Sequence, residues 1–233
     1  MTKLGYLARV TAAAGALVVT TATGIASSAA SDDGAAVYAV TITNITRGQN
    51  LTPVLVATHL PGVRLFTLGQ PAAPALVQVA EEGDIGPLMA RAQNSGVVFD
   101  LGTTTGLLEP GQTQTVRVRA RGPFTRLSAV AMLIPTNDGF FAVDSAELPR
   151  AHETTSVDAM AYDAGSERND ELCASIPGPF FTECGGAGGG GAPNGGEEGY
   201  VHVHAGVHGI GDLNAAERDW RNPVARVTIR RVR

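Results

Sequence analysis

Leu127-Ser128-Ala129-Val130-Ala131-Met132-Leu133-Ile134-Pro135-Thr136-Asn137-Asp138-Gly139-Phe140-Phe141 is the stretch on which the fold of this 233-residue chain turns. The apolar run 127–134 reads as a strand, and Pro135-Thr136-Asn137-Asp138-Gly139 reads as a tight turn that sets a carboxylate at the strand end. Gly139 permits the curvature that such a turn needs. A second segment repeats the arrangement, with a strand candidate over 154–161 followed by Tyr162-Asp163-Ala164-Gly165-Ser166-Glu167. If the two turns lie side by side, Asp138, Asp163 and Glu167 offer three carboxylates to one Ca²⁺, with carbonyls and water completing the shell. Asp and Gly also favour turns on conformational grounds alone, so spacing by itself leaves both readings open.

Strand patterns dominate on either side of this stretch. Period-two or continuous β-branched runs occur over 37–45, 54–58, 97–101, 115–120 and 224–232, with a shorter candidate over 200–205. Glu109-Pro110-Gly111 and Arg121-Gly122-Pro123 punctuate neighbouring runs as turns between antiparallel strands. About eight strands with few helices predict an all-β sandwich. Helical spacing is confined to 73–82, through Leu76, Val79 and Ala80, and to 85–94, through Leu88, Met89 and Ala92. These two short helices share one long connection. Between 185 and 199 the composition is mostly Gly, which cannot bury a core and predicts a mobile loop inside a domain spanning 35–233.

Residues 1–30 read as an export signal: Lys3 and Arg9 precede a small, apolar stretch, and Ser28-Ala29-Ala30 offers a cleavage site. The stretch is short and interrupted for a membrane span. Removing Lys3 and Arg9 leaves 15 basic residues against 22 acidic ones, which argues against nucleic acid as a partner. Lys3 is the only lysine, so the exported chain has none for a Schiff base or a phosphate loop. The two cysteines, Cys173 and Cys184, predict a disulfide in an oxidising compartment, since neither has a neighbouring His or a close Cys for metal or catalytic work.

Hydrolase signatures are absent: there is no Gly-x-Ser-x-Gly, and His152-Glu153 lacks a second His at zinc-protease spacing. The expectation is a non-enzymatic protein with no catalytic residues. Asn44-Ile45-Thr46 and Asn50-Leu51-Thr52 match a glycosylation pattern that is common by chance. His202 and His204 alternate along a strand candidate and so share a face, with His208 and Asp212 just beyond. That grouping supports an alternative, a secreted transition-metal-binding protein or metal-dependent enzyme using His202, His204 and His208. A hydrogen-bonded His pair needs no metal, and His59, at the end of run 54–58, reads as a buried residue with a hydrogen-bond partner.

The order of several short motifs resembles the spondin N-terminal domain, a family with secreted bacterial members. The likeness runs through residues 38–45, Ala57-Thr58-His59, Leu65-Phe66, Gly69-Gln70-Pro71-Ala72, Ala80-Glu81-Glu82-Gly83, residues 132–141 and 162–167, and Pro223-Val224-Ala225-Arg226-Val227-Thr228-Ile229. The resemblance implies a C2-like antiparallel β-sandwich with a Ca²⁺ site in the loops at one end. The family's Ser-Pro-Asp-Trp turn and Asp-Ala-Gly-Thr-Asp turn fall on Asp138, Asp163 and Glu167, although Asn137-Asp138-Gly139 replaces the Pro-Asp-Trp context and Glu167 stands where Asp is usual. The cysteine pattern of animal members is not reproduced. The implied function is a secreted, calcium-binding adhesion or binding module in which Ca²⁺ rigidifies loops at one end. Its partner would be an extracellular protein or surface polymer.

Overall fold

The computed structural model describes residues 34–178, 182–186, 188–191 and 195–233. The expected export signal, 1–30, lies outside the described residues, as does part of the Gly-rich loop 185–199. Among the described residues ten strands form the body: β1 (Ala36–Asn44), β2 (Asn50–Leu51), β3 (Leu55–His59), β4 (Val98–Thr103), β5 (Thr113–Ala120), β6 (Arg126–Ile134), β7 (Gly139–Glu147), β8 (Thr154–Asp163), β9 (His202–Val203) and β10 (Ala225–Arg231). Helices α1 (Pro74–Glu82) and α2 (Gly86–Gln93) occupy the connection from β3 to β4, and α3 (Ala215–Arg218) precedes β10. Among the described residues no helix is long and apolar enough to cross a membrane.

The sheet runs β4-β3-β6-β7-β8-β10-β1-β5, with β2 beside β6 and β9 beside β8. Neighbouring strands pair antiparallel throughout. The two ends of this path meet. Arg119 donates its main-chain N–H to Asp100 Oδ2 at 2.7 Å, and the Thr58 hydroxyl donates to the Arg119 carbonyl at 2.6 Å. Gly102 of β4 makes the approach possible, because a Cβ there would fall 2.5 Å from Val116 Cγ1 of β5. The result is an all-β antiparallel sandwich nearly closed into a barrel.

Alternation explains the enclosed core. β1 turns Tyr38, Val40 and Ile42 inward while Thr41 and Thr43 face out, where each hydroxyl meets a threonine of β5 at 2.9 Å. Val116 and Val118 of β5 and Val227 and Ile229 of β10 join the same cluster. β6 is buried along nearly its whole length, which is why run 127–134 is continuous rather than alternating. Its inner face supplies Leu127, Ala129 and Ala131, while Val130 packs outward against α1 through Leu76, Val79 and Ala80. β7 is likewise two-sided, with Phe141 and Val143 inside and Phe140 and Ala142 under α1. Phe140 meets Phe66 edge-on at 5.4 Å between ring centroids. α1 thus holds its C-terminal turn over the same end of the sheet at which β6 turns into β7.

The Asn44 side chain is fully buried and donates to the carbonyls of Gln49 and Leu108 at 2.7 and 2.9 Å, so the first glycosylation-like triplet has a structural role. His59 is buried as expected. Its Nδ1–H donates to the Leu60 carbonyl at 2.9 Å and its Nε2 accepts from the Ser128 hydroxyl at 2.9 Å, since a carbonyl can only accept.

Candidate cation site

Register brings the two acidic turns together. Gly139, the first residue of β7, lies opposite Asp163, the last of β8, and Asp163 lies opposite His202 of β9. Both glycines are sterically required. Gly165 has φ +65°, and a Cβ on it would fall 2.3 Å from the Tyr200 carbonyl oxygen. A Cβ on Gly139 would fall 2.7 Å from Thr136 Oγ1 and 3.0 Å from the His204 ring.

Asp138 is fully buried. Its Oδ2 accepts the main-chain N–H groups of Ser166 at 2.7 Å and Glu167 at 3.0 Å, and the Ser166 hydroxyl at 3.2 Å. Its Oδ1 is also buried and has no hydrogen-bond partner. Asp163, equally buried, accepts from the Gly165 N–H at 2.7 Å through Oδ1 and from the Asn169 amide at 2.6 Å through Oδ2. Burial, and then the negative charge of Asp163, push the Asp138 carboxyl up to about 7 against the pull of its Glu167 and Ser166 hydrogen bonds. Burial likewise pushes Asp163 up, opposed by Asn169, Gly165 and His202. Two adjacent carboxylates out of water need a cation or a proton between them.

Glu167 is nearly buried, and the contact it makes with Asp138 is through its main-chain N–H. Its Oε1 lies 2.8 Å from where a Cβ on Gly191 would stand, so the Gly-rich segment passes directly over it. Asp138, Asp163 and Glu167 do not place three ligand atoms within 4.8 Å of one another; among the described residues two carboxylate oxygens and a ring nitrogen, from Asp163, Glu198 and His202, do. By donor chemistry, the orphaned Asp138 Oδ1 and the carboxylate oxygens of Asp163 and Glu167 suit Ca²⁺.

Three members of the site escape a reading of the sequence. Glu81 reaches in from the last turn of α1; burial raises its carboxyl, a Ser166 hydrogen bond lowers it, and the Asp138 charge raises it again. Asn169 fixes Asp163 from six residues along the chain, and Glu198 extends from the Gly-rich segment to bring Oε2 within 3.9 Å of His202 Nε2. The spacing of the motifs gives no signal for any of the three.

The histidines divide. His202 Nε2 stands 3.4 Å from Asp163 Oδ1, and His204 Nε2 stands 3.9 Å from Asp163 Oδ2. His204 is buried with Nδ1 accepting the Gly206 N–H at 3.0 Å, so Nε2 carries the proton and is not a metal ligand. Burial, and after it the neighbouring His202 and His208, holds this ring down to about 4. The His208 ring is exposed, its main-chain N–H donates to Glu171, and Asp212 is engaged by the Cys173 N–H at 2.9 Å. The structure therefore does not bring His202, His204 and His208 together as one ligand set. Cys173 and Cys184 are joined in a disulfide with Cα atoms 5.4 Å apart.

A protein-family model described as Spondin_N matches residues 43–171, more than half of the chain. The matched residues include Asp138, Asp163 and Glu167 and stop short of Glu198, His202 and His204. A search of curated proteins finds no match.

Proposed function

This chain belongs to the spondin N-terminal domain family, and from that premise we propose that it is a calcium-dependent binding module acting outside the cell, with Asp138, Asp163 and Glu167 as the carboxylates that hold the ion. One observation carries the reading: the Asp138 carboxylate is fully buried beside Asp163 with Oδ1 lacking any hydrogen-bond partner. A bound Ca²⁺ supplies the positive charge that these carboxylates otherwise lack. Asp138 already ties the turn after β6 to the turn after β8 through the N–H groups of Ser166 and Glu167. Neutralising it keeps both turns, and the 199–204 segment hydrogen-bonded alongside them, in one arrangement.

Binding, and not catalysis, is the role this supports. The carboxylate oxygens suit a held cation, and the Ser166 hydroxyl beside them donates to Asp138 Oδ2 at 3.2 Å. Several exposed large apolar side chains, Leu172, Tyr200, Val203 and Ile210, belong to segments bordering the site, as a partner surface at that end requires. The partner class is an extracellular protein or surface polymer. Export is supported by the signal-like residues 1–30 and by the disulfide.

The test is thermal unfolding of chelator-treated protein as Ca²⁺ is added. Binding to the folded state alone must raise the midpoint, with half-saturation at about 0.1–1 mM, as extracellular modules show. A midpoint that stays fixed through millimolar Ca²⁺ removes the reading.

A further inference from the structure

His202 faces two carboxylates through Nε2. Its Nδ1 lies 3.1 Å from the Val203 carbonyl oxygen, which can only accept, so Nδ1 carries a proton and, in the neutral imidazole, Nε2 is the bare nitrogen. That Nε2 is buried and has no hydrogen-bond partner, yet it faces Asp163 Oδ1 at 3.4 Å and Glu198 Oε2 at 3.9 Å. Three electron-rich atoms this close repel one another unless something positive, a metal ion or a proton, lies among them.

The spacing is that of a small coordination shell. Tetrahedral N/O ligands at about 2.0–2.1 Å from zinc stand about 3.3 Å apart, close to the shorter of the observed separations. Asp163, Glu198 and His202 all place their ligand atoms within 4.8 Å of one another. An independent observation points to the same place: His204, 8% exposed, directs an unpartnered Nε2 at Asp163 Oδ2 from 3.9 Å. Because Nδ1 of His204 is occupied by the Gly206 N–H, this Nε2–H is a donor that can orient Asp163.

We propose that Asp163, Glu198 and His202 form a second cation site, selective for a transition metal of the zinc class and adjoining the calcium carboxylates through Asp163. An imidazole nitrogen suits zinc and is a poor ligand for calcium, which takes oxygen. The Nδ1–H bond to Val203 fixes the tautomer that ligation through Nε2 requires. Three protein ligands leave a fourth position for water or for a group from a partner. Glu198 and His202 lie beyond the Spondin_N match, so the C-terminal segment supplies two of the three ligands and the matched region supplies Asp163. It shares one residue with the calcium reading and does not depend on it.

The experiment is calorimetric titration of zinc chloride into the full chelator-treated chain near neutral pH, with and without saturating Ca²⁺. It is repeated on His202→Gln, Glu198→Gln and His208→Gln. The expected result is one zinc per chain, weakened at least tenfold by either of the first two substitutions and unchanged by the third. Each variant's melting curve checks folding, and Glu198→Gln, on a partly exposed side chain, serves if His202→Gln does not fold. Nitrogen NMR of the His202 ring supplies a second readout, with Nε2 shifting on zinc addition while Nδ1 stays protonated. Zinc binding that survives both substitutions overturns the proposal. So does an absence of binding, with both ring nitrogens protonated, which identifies an imidazolium paired with Asp163 and Glu198. A calcium response that persists in His202→Gln while zinc binding is lost separates the two sites, and a lost calcium response with zinc binding intact would overturn only the calcium reading.

Discussion

The Glu167 main-chain N–H donates to Asp138 Oδ2 at 3.0 Å, so the turn after β8 hangs on a carboxylate supplied by the turn after β6. The same carboxylate is buried beside Asp163, and each disfavours the charge on the other. One group therefore organises the two loops and, without a cation, destabilises them.

Asp138→Asn separates these effects, because the amide oxygen can still accept the Ser166 and Glu167 N–H groups. The folded Asp138 carboxyl lies at about 7, above the ordinary 3.8, so its proton stabilises the fold at low pH and that contribution is lost as pH rises through about 7. In calcium-free protein at about pH 8, Asp138→Asn is expected to raise the melting midpoint by about 4–8 °C, the shift that about 2 kcal/mol makes in a domain of this size. At about pH 5 the gain should shrink. A variant that melts below wild type at both pH values means Asp138 carries no buried charge.

Gly165→Ala tests the turn itself. The positive φ and the close Tyr200 carbonyl leave no room for a Cβ, and such strain destabilises by about 1–3 kcal/mol or more. Urea unfolding should show a lower midpoint with little change in slope. The same substitution at Gly62, whose φ is also positive but whose Cβ would meet nothing within 4 Å, should have the smaller effect. Equal losses would mean that φ alone matters and that the Tyr200 contact is immaterial.

His59 gives the fold a dependence on acid that is separate from the cation site. Burial lowers its pKa below the ordinary 6.5, against the raising effects of the Leu60 hydrogen bond and Asp144, while Arg126 and Arg64 lower it further. Its stabilising contribution is thus complete above about pH 6.5 and is lost as pH falls toward the folded value. The drop in urea midpoint between about pH 7.5 and about pH 5.5 should be larger for wild type than for His59→Gln. Identical drops would show that protonating this ring is not coupled to unfolding.

Much of the fold is legible because β1, β5 and β10 alternate buried and exposed residues and β6 is a continuous apolar run. Sequence reading misses the two-residue β2 and, of the long strands, β7. Its apolar part, Phe140 to Val143, follows the Asp138-Gly139 turn without a break, and its second half is polar, so it reads as the end of a turn. β9 shrinks to His202–Val203 because its pairing with β8 covers only Tyr162 and Asp163. At the site, the adjacency of Asp138 and Asp163 follows from two strand-end turns, whereas Glu81 and Glu198 arrive from a helix and a Gly-rich segment whose position only packing determines. His208 is close in sequence to His202, but its ring is exposed beyond the intervening glycine-containing turn.

Calorimetric titration of Ca²⁺ into chelator-treated wild type, Asp138→Asn and Asp158→Asn tests the central claim most directly. Asp158 is an exposed carboxylate bonded to Arg226 at 2.7 Å, which makes it a control for loss of one negative charge. The expected result is one calcium per chain for wild type and Asp158→Asn, with affinity at least tenfold weaker in Asp138→Asn. Equal affinities in all three, or no heat of binding at millimolar Ca²⁺ in wild type, would contradict it.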